Sequence, residues 1–485
     1  MAKFWFTALA LLVSAGLWAA PAMANSEDAS GVENIQRGGA EGAADTTLGS
    51  KGLNFETDGF SLNVSTRVQF RLTYQNEVAN GNDGANGRDF INFRIRRAKT
   101  TFKGHFFQKE FQYKLILGWT HGAGDIIEVA YFRWAFHQYL NVKAGQDKLE
   151  WNWEEISSSS NMQFVDRSYV NEVFNQDYAK GITIDGQVGE DTPWLKYWVG
   201  IYNGVLAGDA DYRNSDQAIV GERFNDGVVD GEMMLNLRLE THPLGEVARG
   251  MNDARGEDEY DKVVFAVGLG VNWMMAGFDS GNAGVRGDTV VAPTASGRFR
   301  TNQDTWAMTL DGHFRWHGLS VDVAYFWRHT EFHNRGANRF SPSGQADVGN
   351  LNDSGFTFEV AYFILPQQFN VGIRFNMLNA EDFWQGGTGT DTPRARGLRP
   401  DTTEIGISVN YYIHGDNLKL TFDILWVGQQ VAIGDNFNPL TGESDDLMGV
   451  YNAPPGRVLG GGSLGSSESD HNDLWIVRLQ LQWIF

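Results

Sequence analysis

The chain has no cysteine, which excludes a disulfide framework, a thiolate metal site and a cysteine nucleophile. Beyond residue 20 it has no long apolar run. A helical membrane span needs about 20 consecutive apolar residues, so the mature chain is not a helical membrane protein. Positive charge is in short supply: 39 Lys and Arg face 60 Asp and Glu, for a net charge of -21. Nucleic acid selects basic surfaces and is not an expected partner. Proline is scarce, at 11 residues. Nothing in the sequence suggests ATP, another nucleotide or a redox group, and the expectation is no cofactor and no metal. The chain is rich in glycine, with 57 residues, and in aromatic side chains, at 13%. Its 485 residues suffice for one large barrel or two to three soluble domains.

The N-terminus reads as a targeting segment. Lys3 precedes an apolar core over residues 4–20, and Ala22-Met23-Ala24 is an A-x-A cleavage site. A short membrane anchor is the alternative. The expectation is a cleaved leader over residues 1–24 and a mature chain beginning at Asn25. Residues 25–58 hold few large apolar side chains and read as a flexible lead-in. Residues 59–485 read as one barrel.

The last strand sets the pattern. Trp475, Val477, Leu479, Leu481, Trp483 and Phe485 share one face, and Arg478, Gln480 and Gln482 share the other. Such a strand suits a membrane barrel, with its apolar face to lipid, aromatics at the interfaces and its polar face to the lumen. The same period of two begins at Phe60. There Leu62, Val64, Val68, Phe70, Leu72 and Tyr74 oppose Asn63, Arg67, Gln69, Arg71 and Thr73. About sixteen such segments follow one another, an even number, as a single-chain bacterial barrel requires. Short turns at 317–318, 365–368 and 415–417 alternate with long polar connections at 206–227, 277–302, 331–352, 380–403 and 428–472. Residues 242–261 form the one long connection on the short side. The expected fold is an all-β, transmembrane, antiparallel barrel in a Gram-negative outer membrane, surrounded by lipid and lipopolysaccharide and enclosing a water-filled channel.

In a pore the chemistry is the electrostatics of the wall. Alternation places Arg67, Arg71, Arg94, Arg96, Lys114, Lys143, Arg238, Arg315, Arg328, Arg374 and Arg478 inward. Strict alternation would put Arg97 and Lys99 in lipid, at a cost of roughly 2–4 kcal/mol each near the midplane. A bulge near Arg96-Arg97 would turn Arg97, Lys99 and Lys103 inward instead. Such a wall attracts carboxylate or phosphate groups. The alternative is that each Arg is neutralised by a lumen acid such as Asp185, Glu240, Asp311, Asp322, Glu359, Glu404 or Asp423.

Residues 150–178 form an aromatic, amphipathic connection, Trp151-Asn152-Trp153-Glu154-Glu155, four serines, then Phe164-Val165-Asp166-Arg167-Ser168. It could fold inward and narrow the pore, with Glu150, Glu154, Glu155, Ser157, Ser158, Asp166 and Arg167 as its polar residues. An external loop touching a neighbouring subunit is the alternative.

The run Phe93-Arg94-Ile95-Arg96-Arg97-Ala98-Lys99, then Gly104 and Phe111-Gln112-Tyr113-Lys114, resembles the phosphate-selective porin O and P family. So do Ala144-Gly145-Gln146-Asp147-Lys148 leading to Phe164-Val165-Asp166-Arg167-Ser168 and Gly181-Ile182, and Thr241-His242-Pro243-Leu244-Gly245. The resemblance runs from about residue 60 to the C-terminus. It implies a sixteen-stranded homotrimeric porin whose third extracellular loop folds inward and whose arginine ladder and lysines select anions such as phosphate. Two features depart from it: the acidic balance of the chain, and a loop holding Glu150, Glu154, Glu155, Asp166, Glu172 and Asp177.

The expected function is passive diffusion of small anions. A porin for neutral or mixed solutes is the alternative within transport. A barrel enzyme could draw on His137, His313 or His329, but no identifying Ser/His/Asp motif accompanies them. A surface adhesin would leave the lumen charges without a role.

Overall fold

The computed structural model describes residues 45–49, 52–80, 89–120, 126–175, 178–189, 193–203, 233–274, 303–332, 351–379, 383–385, 395–397, 401–429 and 471–485. The leader at 1–24 and most of the long connections, including residues 206–227, fall outside this set.

Sixteen strands form a closed antiparallel barrel. They are β3 (Phe60–Asn80), β4 (Asp89–Phe106), β5 (Gln108–Gly118), β6 (Ile127–His137), β7 (Leu140–Lys148), β8 (Tyr178–Val188), β9 (Leu195–Asn203) and β10 (Met233–Thr241). They continue with β11 (Val264–Met274), β12 (Gln303–Trp316), β13 (Leu319–Phe332), β14 (Leu351–Leu365), β15 (Phe369–Asn379), β18 (Thr402–His414), β19 (Leu418–Gln429) and β20 (His471–Ile484). Each pairs with the next, and β20 returns to β3 with Leu481 opposite Phe70. Thr66 and Phe485 exchange backbone bonds of 2.7 and 3.0 Å at the end of that seam. Outside the ring, β16 (Phe383–Gln385) and β17 (Ala395–Gly397) make a small hairpin.

The faces alternate as the sequence pattern requires. Phe93 is 64% exposed on the outer face, while Arg478 two strands away is fully buried on the inner one. Ile91, Ile95, Phe132, Ile373, Ile407 and Trp475 continue the outer apolar surface. The bulge in β4 is present. Gln69 faces Arg97 and Phe70 faces Ile95, so Arg96 is the extra residue, and both Arg96 and Arg97 are buried. Two adjacent arginines thus turn inward while Ile95 stays outside. The tight turns use left-handed backbone: His317 at φ 48° and Gly318 at φ 81° join β12 to β13 as a two-residue hairpin.

The lead-in differs from expectation over its described part. β1 (Asp45–Gly49) and β2 (Gly52–Thr57) form a hairpin, and β2 pairs with Phe60–Val64 of β3. β20 covers β3 only from Arg67 onward. The overhanging edge of β3 would otherwise expose unpaired backbone groups, and β2 satisfies them.

Candidate functional site: a half-filled lumen

The connection between β7 and β8 packs against inward-facing side chains of the wall. Two short helices shape it, α1 (Trp153–Ile156) and α2 (Tyr169–Phe174). Asn152 caps α1 by accepting from the Glu155 N–H at 2.8 Å, and Ser168 caps α2 by accepting from the Asn171 N–H at 3.1 Å. Arg167 ties the loop together, donating to the carbonyls of Glu154, Glu155 and Ser157. Trp151, Phe164, Tyr169, Val170 and Phe174 are buried against Phe326, Leu425, Val427 and Ile476 of the wall. Wall glycines make room for them. A Cβ on Gly355 would lie 2.5 Å from Val170 Cγ1, and one on Gly270 would lie 2.1 Å from the Trp151 carbonyl oxygen.

The β10–β11 connection enters from the short-turn end and meets this loop. The Trp153 indole N–H donates to Gly250 O at 3.1 Å, and its ring stacks 4.1 Å from His313. Arg249 sits 4.5 Å above the same ring. Met251 N–H donates to Asn161 O at 3.0 Å, and Arg315 donates to Gly250 O at 2.9 Å. The lumen beside β10–β15 and β18–β20 is therefore packed from both ends.

What remains open is a cavity of about 2330 Å³ against β3–β9 and the inner surface of the loop. Twelve Lys and Arg and eight Asp and Glu line it, a local excess of positive charge in a chain of net charge -21. Three pairs of like charges face each other directly across strands: Arg67 with Lys99, Lys103 with Lys114, and Arg133 with Lys143. Directly opposed like charges destabilise a sheet. Acids relieve some of them, with Lys99 on Glu128 at 2.5 Å, Lys143 on Asp147 at 2.7 Å and Arg133 on Asp185 at 2.6 Å. Among the described residues, Lys103, Lys109 and Lys114 have no carboxylate at ion-pair distance.

Seven of the fourteen expected wall cations border this cavity: Arg67, Arg96, Arg97, Lys99, Lys103, Lys114 and Lys143. Glu150, Glu155, Ser157, Ser158 and Arg167 border it from the loop. The others need correction. Arg71, Arg238, Arg315, Arg328, Arg374 and Arg478 face inward but are sealed under the loop and paired, Arg478 with Asp423 at 2.6 Å. Arg238 forks onto Asp311 at 2.8 and 2.9 Å, Arg315 reaches Asp322 at 2.8 Å, and Arg374 reaches Glu404 at 2.6 Å. Arg328 lies 3.7 Å from Asp353, and Arg71 bonds Asp166 at 2.7 Å. For these the lumen-acid alternative is the correct one. Arg94 is half-buried outside the cavity lining. Glu154 is also covered, accepting from the Ser168 N–H and Oγ–H at 2.5 and 2.7 Å. The wall set read from the sequence omits Arg133, Lys109, Lys196 and Glu128. For Arg133 the outward Phe132 and Trp134 on either side were a usable signal. Of the three histidines, His313 is bonded to Asp311 and Asp322, His329 to Asn352, and His137 lies exposed by a turn.

Loop carboxylates respond differently to burial. Burial pushes Glu154 up, against Arg374. Burial also raises Glu155, but Arg167 and Lys148 outweigh it and hold the carboxyl at about 2, below its usual 4.5. A depressed carboxylate stabilises the folded loop fully above its unfolded pKa and loses that contribution as pH falls through the folded one. The seating of Trp151 and Trp153, followed by tryptophan fluorescence, should persist at pH 4 and fade as pH approaches 2. Loss already complete at pH 4 would rule out this ion-paired anchor.

A family model described as phosphate-selective porin O and P matches residues 65–251, the segment holding β4, the inward loop and the β10 exit. Over residues 65–251 the chain is similar to the phosphate-selective porin O and P family. That match and the closed sixteen-strand barrel support an outer-membrane channel. Among curated proteins, none matches it. Solved structures similar to this chain include an anion-selective porin from Comamonas acidovorans, 8% identical, covering 88% of this chain and 100% of that one, with a TM-score of 0.48. Another is the outer-membrane channel DcaP of Acinetobacter baumannii, 10% identical, covering 89% and 99%, with a TM-score of 0.47. OmpT of Vibrio cholerae is 10% identical, covering 88% and 99%, with a TM-score of 0.44.

Proposed function

We propose that the protein is a passive diffusion channel selective for small anions, phosphate among them, and that they pass along the β3–β9 side of the lumen. The observation that carries this reading is the Lys103–Lys114 pair, opposed across β4 and β5 on the cavity wall that Lys109 also lines, with no carboxylate at ion-pair distance among the described residues. A sheet under no demand but stability would not oppose two lysines there. The remaining cations continue the path past Lys99 and Arg97 to the loop. In this reading residues 1–24 are a cleaved leader, on the strength of Lys3, the apolar run and the Ala22-Met23-Ala24 site, and the channel is a homotrimer in lipid and lipopolysaccharide, which rests on the family resemblance.

The test is the reversal potential of the purified protein in a planar bilayer under a potassium chloride gradient. Anion preference is expected, with added phosphate reducing the chloride current. Lys103→Glu with Lys114→Glu should remove that preference or reverse its sign. Cation preference in the unaltered channel would overturn the reading in favour of the acids lining the loop.

A further inference from the structure

Asp166 sits at the innermost bend of the inward loop, and four guanidiniums converge on it. Arg71 donates at 2.7 Å, Arg478 at 3.0 Å and Arg97 at 3.4 Å, while Arg96 Nε lies 3.4 Å away. The four come from β3, β4 and β20. Arg478 is additionally forked onto Asp423 at 2.7 and 2.6 Å. Asp166 is thus shared among four buried guanidiniums, and Asp423 bonds one of them. Of those cations, Arg96 and Arg97 border the open cavity, and Arg71 and Arg478 stand behind them. Main-chain groups also hold the loop in place, independently of the Asp166 side chain: Arg374 donates to Asp166 O at 2.9 Å, Val165 N–H to Asp423 at 2.9 Å, Asn410 to Gln163 O at 2.8 Å and Arg238 to Trp151 O at 2.8 Å.

Guanidinium forks recognise a side-chain carboxylate and a free oxyanion by the same geometry. Resting on the anion-channel reading above, we propose that Asp166 is a tethered competitor, its carboxylate occupying the arginine cradle that a permeating oxyanion would otherwise take. Conduction requires a site that attracts the solute yet releases it. An unoccupied cradle of four guanidiniums would hold phosphate or a carboxylate solute and stall the flow. Asp166 is thereby the residue that sets the affinity of the wall, and it discriminates most strongly against ions able to accept several hydrogen bonds at once, with chloride little affected.

The experiment is single-channel recording in potassium chloride with increasing inorganic phosphate, which scores only folded molecules. For Asp166→Asn, half-block is expected at a phosphate concentration at least about tenfold lower than for the unaltered channel, the scale of one unit charge removed at short range in a partly screened site. Asp166→Glu, which keeps the charge, should stay within about threefold, a shift too small for a lost charge. Unchanged or weaker block in Asp166→Asn overturns the proposal while an anion-selective unaltered channel leaves the function standing. A cation-selective unaltered channel overturns both. Should Asp166→Asn give no channels, Asp166→Asn with Arg71→Gln removes a matched pair and leaves the cavity lining intact. Block at least about threefold tighter is then expected, and an unchanged value overturns the proposal.

Discussion

Gly270→Val should open the channel, with a several-fold rise in single-channel conductance. Gly270 lies on β11 beneath the start of the inward loop. A Cβ there would meet the Trp151 carbonyl oxygen at 2.1 Å and Thr309 Cγ2 at 2.7 Å. The first of these is backbone, so no rotamer change relieves it. Trp151 cannot shift alone either, because Arg238 holds its carbonyl at 2.8 Å and its ring lies 5.7 Å from Phe326. The loop must leave the wall, and the space it fills becomes lumen. Taking a buried tryptophan out of its site costs about 3–5 kcal/mol, so the seated state is lost rather than strained. Gly312→Ala on β12 is the control, since a Cβ there meets Val323 Cγ1 at 3.3 Å and nothing of the loop. Sheet content by circular dichroism should be unchanged in both variants. Wild-type conductance in folded Gly270→Val would refute the seating described here.

Asp311→Ala should destabilise the protein by about 3–5 kcal/mol, the cost of stranding one partner of a buried ion pair. Arg238 is fully buried and forks onto Asp311. His313 also shares Asp311, at 2.9 Å. Without that carboxylate, Arg238 keeps Glu240 and the Trp151 carbonyl but retains an excess charge where water does not reach. The comparison is Asp185→Ala on β8. Its partner Arg133 is 26% exposed at the open cavity, so the same chemical change there should cost about 1 kcal/mol or less. Denaturant midpoints of the two variants measure the difference. Equal shifts would mean that the loop does not exclude water from the packed half.

These two variants mark where sequence reading stops. The alternation of Phe93, Arg94 and Ile95 made the barrel legible, and the clash of that alternation with Arg97 and Lys99 made the bulge legible. Alternation says only inward or outward. Arg238 and Arg374 read the same as Lys114 and Lys143, yet the first two lie under the loop and the last two border water. The distinction depends on which wall the loop settles against, and that is decided by small residues facing it, Gly270, Gly355, Gly372 and Gly406. A glycine in a strand carries no such message until its partner across the lumen is known. The β1–β2 hairpin was hidden for another reason. Its short, mostly polar strands bury little by themselves and take their order from the overhanging edge of β3.

The position of Asp166 also bears on how the barrel assembles. The seam between β3 and β20 joins residues as far apart as Gln69 and Gln482, 413 positions along the chain. No other neighbouring pair of wall strands is so remote, and contacts of such separation form late. Asp166 grips both sides of that seam from within, through Arg71 and Arg97 on one side and Arg478 on the other. A ring zipped shut with the loop still outside would leave Arg71 and Arg97 without Asp166 and, among the described residues, Arg478 with Asp423. The Asp166 carboxylate therefore bonds both strands of the closing seam, so seating the loop also stabilises the closed ring.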